Sequence, residues 1–438
     1  MNVLIAIIIL MVTMVVGVPV ALSFVASAVY LIATTGTDAI FLLPYGFSRV
    51  NSIILLTIPM FILAGSLMEH GGIGKKLISA VERVVGTTKA GLAFVAIVSC
   101  GVFGAITGSA AATLTCIGSI MAPRLKANGY PDSIVGALLA SSSILGLLIP
   151  PSGIMILYAW NSNTSVLACF LATAVPGVIL AVLLGIITHF MIRKNPDIVV
   201  YTKAELRERN RLEREERRRT REPGAFAALL MPVIILGSIY GGYLTPTEAA
   251  ALSVAYALPV GWFVYKKLDS AVVRKAFSQA AVTTGVIMLM MITVQMLSRL
   301  YIQEKLPQLV LAILTSISDN KYIMLLMVNI FLIILGMLMD DTSAVLLATP
   351  ILVPVIRAIG VNPIHFAAIT AVNLGLGCIT PPTAPMLYLT SRMTNTETRV
   401  MLKPTIIYIL LAWVPTLILT TYVEEISLFL PTLLGYNG

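Results

Sequence analysis

Charge is what this sequence has least of. Only 11% of its 438 residues are Asp, Glu, Lys or Arg, against 58% hydrophobic, and mean hydropathy is +0.96. Soluble domains carry about one quarter charged residues, so a water-soluble globule is excluded and a polytopic membrane protein is expected. Cysteine is sparse as well. Cys100, Cys116, Cys169 and Cys378 all sit in apolar segments without ligand spacing, which points to buried free thiols rather than disulfides or a metal centre. The three histidines, His70, His189 and His365, are isolated and read as interface or core residues. No phosphate-binding Gly-Lys-Thr loop occurs, so ATP is not expected to power the chain. No basic stretch precedes the first apolar run, which continues through 17–35; a cleaved signal peptide is not expected.

What is abundant is long apolar sequence. A helix needs about 20 apolar residues to cross an ~30 Å hydrocarbon core, and roughly a dozen candidate segments are present. Between the halves lies 193–222, with eleven Lys/Arg and seven acids. A solvated, salt-bridged cytoplasmic connector obeying the positive-inside rule is expected there, rather than a nucleic-acid site.

The halves repeat each other. Pro150-Pro151 and Pro381-Pro382 each interrupt an apolar helix at an offset of 231 residues (381 − 150 = 231). The same offset pairs Pro123 with Pro354, Lys126 with Arg357, Gly129 with Gly360, Gly146 with Gly377 and Met155 with Met386. So many matches at one gapless offset mark an internal duplication. With 193–222 inside, the basic segments around Lys75–Lys89 and Lys266–Lys275 also fall inside, while Glu424 and Glu425 fall outside. The copies are then oppositely oriented, with both termini periplasmic. Inverted repeats with interrupted helices are characteristic of secondary transporters.

The expected organisation is a first repeat at 1–192, a connector at 193–224 and a second repeat at 225–438. Segment 92–123 must enter and leave on one side. It is too short for two spans at 1.5 Å per residue, so a re-entrant hairpin is expected, turning at Thr107-Gly108-Ser109. Its counterpart, 322–358, turns near Asp340-Asp341-Thr342-Ser343, two acids in an oily run. The broken helices fall at 133–160 and 363–391. Proline cannot donate a backbone hydrogen bond, so carbonyls at Gly146 and Ile149, and at Gly377 and Thr380, are expected to be free. Such hard oxygens suit an alkali cation, while half-helix N-termini suit an anion. Asp341 is expected to cap the following helix. Thr245-Pro246-Thr247-Glu248 reads as a capping box rather than a substrate contact, and Arg49 and Arg299 as snorkelling cations.

The stretches "GSAAATLTCIGSIMAPRLKANGYP", "IPPSGIMILY", "LTPTEAAALSVAYAL" and "LGMLMDDTSAVLLATPILVPV…NLGLGCITPPTAPMLYLTS" resemble the large membrane subunit of TRAP (tripartite ATP-independent periplasmic) transporters along essentially the whole chain. The resemblance implies an all-α, inverted-repeat, elevator-type fold with horizontal arm helices near 71–90 and 304–321. It implies Na⁺-coupled uptake of an organic anion such as a C4-dicarboxylate, sialic acid or sugar acid across a bacterial inner membrane. It implies no cofactor and no enzymatic activity. Two partners follow, a small four-helix membrane subunit and a secreted periplasmic substrate-binding protein. One Na⁺ site would lie between Thr107, Gly108 and Ser109 and the break at Gly146, Ile149 and Pro150. The other would lie between Gly336 and the break at Gly377, Thr380 and Thr383. Substrate would touch Ser109, Ser152, Asp340 and Thr342. A two-component divalent-anion/Na⁺ symporter working without a binding protein is the rival reading. An intramembrane aspartyl protease is disfavoured, since its two acids must face each other from different helices.

Overall fold

The computed structural model describes residues 2–85, 90–198, 211 and 223–436; most of the basic connector at 193–222 lies outside the described residues. All regular structure among them is helical. Helices α1 (Asn2–Val15), α2 (Val20–Thr35), α3 (Leu42–Val50) and α4 (Thr57–His70) lead into the short amphipathic α5 (Ile73–Val85). A helical hairpin follows, α6 (Gly91–Thr107) and α7 (110–127), the latter carrying a π turn at Leu114–Gly118. Then come α8 (Asp132–Leu148) and α9 (Gly153–Ser162), bent by 41° at the first proline pair, and α10 (Val166–Ile192).

The second half repeats the order of short helix, hairpin and broken helix. Its helices are α11 (Phe226–Tyr240), α12 (Pro246–Val264), the long α13 (Ser270–Gln303) and the short α14 (Leu306–Ile317). A second hairpin is built from α15 (Lys321–Leu338) and α16 (Asp341–Ala358), and a second broken helix from α17 (Pro363–Ile379) and α18 (Pro385–Thr394). The chain closes with α19 (Thr398–Tyr422) and α20 (Glu424–Leu433).

Local chemistry explains the boundaries. Ser109, Asp340, Asn320 and Asn362 are N-caps whose side chains accept backbone N–H groups of the helices they open, satisfying donors that a helix start leaves orphaned. Gly129 and Gly360, one repeat apart, both adopt the left-handed conformation after their hairpins (φ 81° and 72°), a backbone region that only Gly enters without steric cost. The short helices α5 and α14 are each entered through a left-handed residue, Gly72 and Lys305. They fall inside the spans expected for the arms.

Each hairpin's first limb packs on its own repeat's broken helix: α6 on α8, and α15 on α17. Around this centre, α4 packs against α12, and α13 lies across α2, α3 and α4. Seven helices among the described residues are long and apolar enough to cross a bilayer, eight counting the bent pair. That is fewer than the dozen apolar segments of the sequence, because α1, α2, α6 and α17 are only 14–17 residues long.

The duplication also departs from the single offset. Helix α9 opens at Gly153 and α18 at Pro385, so the second break is one residue longer than the first. Met155 and Met386 therefore occupy successive rather than equivalent helical positions.

The capping box holds as expected. Thr245 Oγ1 accepts the Glu248 N–H at 3.3 Å, and the Glu248 carboxylate accepts the Thr245 N–H at 2.8 Å. Thr245→Ala should therefore destabilise the purified protein by about 1 kcal/mol and leave uptake rates at saturating substrate unchanged. Thermal unfolding beside an uptake assay checks both parts. Arg49 and Arg299 stack over the rings of Trp160 and Tyr45 at 5.8 and 5.6 Å, and all four cysteines are buried and free.

Candidate functional site

The hairpin tips meet the proline breaks backbone to backbone. At the first seam the turn is Gly108-Ser109, as the sequence suggests, and the Gly153 N–H donates to the Gly108 carbonyl at 3.0 Å. A Cβ on Gly104 would lie 2.4 Å from the Gly146 Cα, and one on Gly146 would lie 3.0 Å from the Ser109 carbonyl oxygen. Oxygens converge there. Thr113 Oγ1 donates to the Ser109 carbonyl at 2.8 Å and sits 3.3 Å from Thr107 Oγ1. Pro150, Pro151 and Ser152 are buried, and the fully buried Ser152 hydroxyl has no hydrogen-bond partner.

The second seam repeats the design with different atoms. A Cβ on Gly377 would come within 2.5 Å of the Gly336 carbonyl carbon. Thr383 Oγ1 donates to the Met337 carbonyl, tying break to hairpin as Gly153 does in the first copy. The Gly377 carbonyl is not wholly free, since it accepts the Thr380 N–H at 3.0 Å. The Thr380 hydroxyl donates to the Leu376 carbonyl at 2.6 Å. Here Pro381, Pro382 and Thr383 are exposed, whereas the first break is buried. Each seam thus offers carbonyl and hydroxyl oxygens, a donor set that fits a hard cation.

A cavity of about 150 Å³ lies between the first seam, α4, α13 and the tip of the second hairpin. Thr107, Gly108, Ser109, Gly153, Thr342 and Asp341 line it. A neighbouring cavity of about 350 Å³ shares Thr107, Ser109 and Thr283 with it and adds Gln279, Ser66 and Glu69. Neither has a Lys or Arg in its described lining. Gly65 of α4 touches this region, where its Cβ would meet the Thr107 side chain at 3.1 Å.

The helix cap is Asp340 rather than Asp341. Asp340, expected at the substrate, is exposed and is the N-cap of α16; its Oδ2 accepts the Ser343 N–H at 3.2 Å and Oδ1 accepts from the Ser343 hydroxyl. Asp341, expected to cap, is the first helical residue, half-buried, and faces the cavity. The reason is the turn itself, which closes at Met339-Asp340, one residue earlier than two like charges in a row reveal. Ser109 and Asp340 are thereby equivalent caps at the 231-residue offset.

Of the other expected residues, Thr107, Gly108, Ser109, Gly146, Ile149 and Pro150 lie around one seam, and Gly336, Gly377, Thr380 and Thr383 around the other. Gly104, Thr113, Gly153, Gln279, Thr283 and Glu69 were not foreseen. Thr113 could have been, lying four residues beyond Ser109 and hence on the same helix face. Gln279 and Thr283 reach the site only through packing of α13.

Residues 7–426 match the family described as "Tripartite ATP-independent periplasmic transporter, DctM component". The sialic acid TRAP transporter large permease protein SiaM of Vibrio cholerae is 34% identical over 424 residues, covering 96% of both chains. The C4-dicarboxylate TRAP transporter large permease protein DctM of Pseudomonas aeruginosa is 33% identical, covering 87% of both. The isethionate TRAP transporter permease protein DctMQ of Oleidesulfovibrio alaskensis is 32% identical over 95% of this chain, which spans only 64% of that longer protein. In fold, the Alcanivorax borkumensis YdaH transporter superposes with a TM-score of 0.64 over 86% of both chains, at 14% identity. With its apolar helices and this match along nearly its whole length, the chain belongs to the family of large, multi-pass membrane components of TRAP transporters.

Proposed function

We propose that this protein carries out Na⁺-coupled uptake of an organic anion across a bacterial inner membrane. A periplasmic binding protein delivers the substrate and a small four-helix membrane subunit completes the complex. The observation that carries this reading is the pair of seams where hairpin carbonyls and hydroxyls meet a proline break, the first of them beside a cavity to which Thr107, Ser109, Thr283 and Thr342 bring hydroxyls. Such seams suit Na⁺ as the coupling ion. With no cationic side chain in the described cavity lining, the substrate's negative charge is balanced by helix N-termini and by the bound cations themselves. Ser109, Ser152 and Thr342 supply hydroxyl contacts. The relatives named for sialic acid, C4-dicarboxylates and isethionate all handle organic acids, which supports the substrate class.

Cation binding at a seam draws a hairpin tip onto its break and completes the anion site. The hairpin and broken-helix core then moves as an elevator against the scaffold that includes α4 and α13, with both hairpins re-entrant. Proteoliposomes holding both membrane subunits, with the cognate binding protein outside, should accumulate substrate only with an inward Na⁺ gradient. Uptake that persists unchanged without the gradient, or without the binding protein, defeats the proposal. A panel of acidic metabolites tested against the binding protein identifies the anion.

A further inference from the structure

Lys126 and Arg357, at equivalent positions in the two repeats, do the same thing across the repeats. Lys126 Nζ, at the end of the first hairpin, donates to the Thr394 carbonyl at 2.6 Å and to Thr396 Oγ1 at 3.1 Å. Thr394 is the last residue of α18, in the second repeat. Arg357 Nη2, at the end of the second hairpin, donates to the Ser162 carbonyl at 3.2 Å. Ser162 is the last residue of α9, in the first repeat. Each half-helix then exits through a left-handed asparagine, Asn163 or Asn395. The final carbonyls of a helix lack intrahelical partners and carry the negative end of its dipole, so a cation placed there is both a hydrogen-bond donor and a charge complement.

Further contacts run the same way. Asn161 Nδ2 donates to the Leu346 carbonyl at 3.2 Å, and Asn161 Oδ1 accepts from Gln295 Nε2 of α13 at 3.0 Å, and α9 packs against α16. The geometry joins the two seams. Each half-helix has ten residues, about 15 Å of rigid rod at 1.5 Å per residue. Its N-terminus is at its own repeat's break, and its C-terminus is held by the other repeat's hairpin.

We infer that Lys126 and Arg357 are reciprocal positioning residues that couple the two cation seams, so that closing one hairpin on its break sets the half-helix facing the other. The inference rests on the Na⁺-coupled reading above. Lys126→Met and Arg357→Met should each raise half-saturating Na⁺ about tenfold and lower the Hill coefficient for Na⁺ toward about one. Substrate half-saturation at high Na⁺ should stay unchanged. The double variant should be no worse than either single, because both break one linkage. Lys126→Arg and Arg357→Lys should restore the wild-type titration. Asp132→Asn, which removes only the ion partner of Lys126 at 3.2 Å, should not alter it.

If wild-type uptake ignores Na⁺, the transport reading itself falls. If the wild type is Na⁺-driven and the Met variants titrate as it does, this inference alone falls. A Lys126→Cys, Thr396→Cys pair joined by a short bifunctional thiol reagent decides the matter even if the Met variants misfold. Bridging should return the wild-type Na⁺ dependence. Uptake blocked or unrestored by the bridge overturns the coupling role.

Discussion

Gly377→Ala should all but eliminate Na⁺-driven uptake while the protein still inserts and purifies. The added Cβ would lie 2.5 Å from the Gly336 carbonyl carbon, 2.6 Å from its Cα and 2.9 Å from the Met337 nitrogen. All three are backbone atoms of the facing hairpin, so no side chain can swing aside. The hairpin must back away from the break, which separates the carbonyl and hydroxyl oxygens that converge at this seam. Overpacking of this kind costs about 1–3 kcal/mol, and each 1.4 kcal/mol is about tenfold in affinity. Half-saturating Na⁺ should therefore rise by one to two orders of magnitude. Gly146→Ala should act likewise at the first seam, where its Cβ meets Thr113 Oγ1 at 2.8 Å. Gly237→Ala, with nothing within 4 Å, is the control and should transport normally. A Na⁺ titration of uptake in proteoliposomes reads all three. A Gly377→Ala protein that titrates like wild type would show that this contact is packing without function.

The second large effect separates the adjacent acids. Asp341→Asn should reduce uptake at least tenfold, because Asp341 is the acid that reaches the cavity beside Thr107 and Ser109. Removing its charge weakens cation retention there, and one unit of charge beside a partly desolvated ion is worth more than about 1.4 kcal/mol, or tenfold. Asp340→Asn should be nearly silent, since Asn caps a helix as well as Asp does. Asp340→Ala loses the acceptor for the Ser343 N–H and should cost about 1 kcal/mol of stability with little change in transport. Initial uptake rates beside thermal unfolding of the same preparations distinguish the two positions. The outcome that sinks the assignment is a crippled Asp340→Asn beside an active Asp341→Asn.

That reversal shows where sequence reasoning stopped. Spacing located both proline breaks and the glycines Gly146 and Gly377, and the small residues Gly108-Ser109 marked the first tip, because proline and glycine report backbone demands that do not depend on neighbours; Gly336 came only with the family resemblance. The second tip contains no glycine at its turn. Which acid capped and which faced inward depended on a one-residue choice of turn that the chain there does not encode locally. The added residue in the second break was invisible for a related reason: Met155 and Met386 matched in identity while their helices started one position apart.

The amino-acid sequence by itself determined the membrane class, the duplication and the four interruptions on which the site is built, since hydropathy, repeat offset and helix breakers are properties of single segments. Only the tertiary structure decided that each hairpin rests on its own repeat's break yet caps the other repeat's half-helix. It also decided that α13 brings Gln279 and Thr283 to the cavity, and that Asp341 rather than Asp340 faces it. These contacts join residues as far apart as Lys126 and Thr396. No local propensity specifies such pairings; they follow from how the helices close around one another.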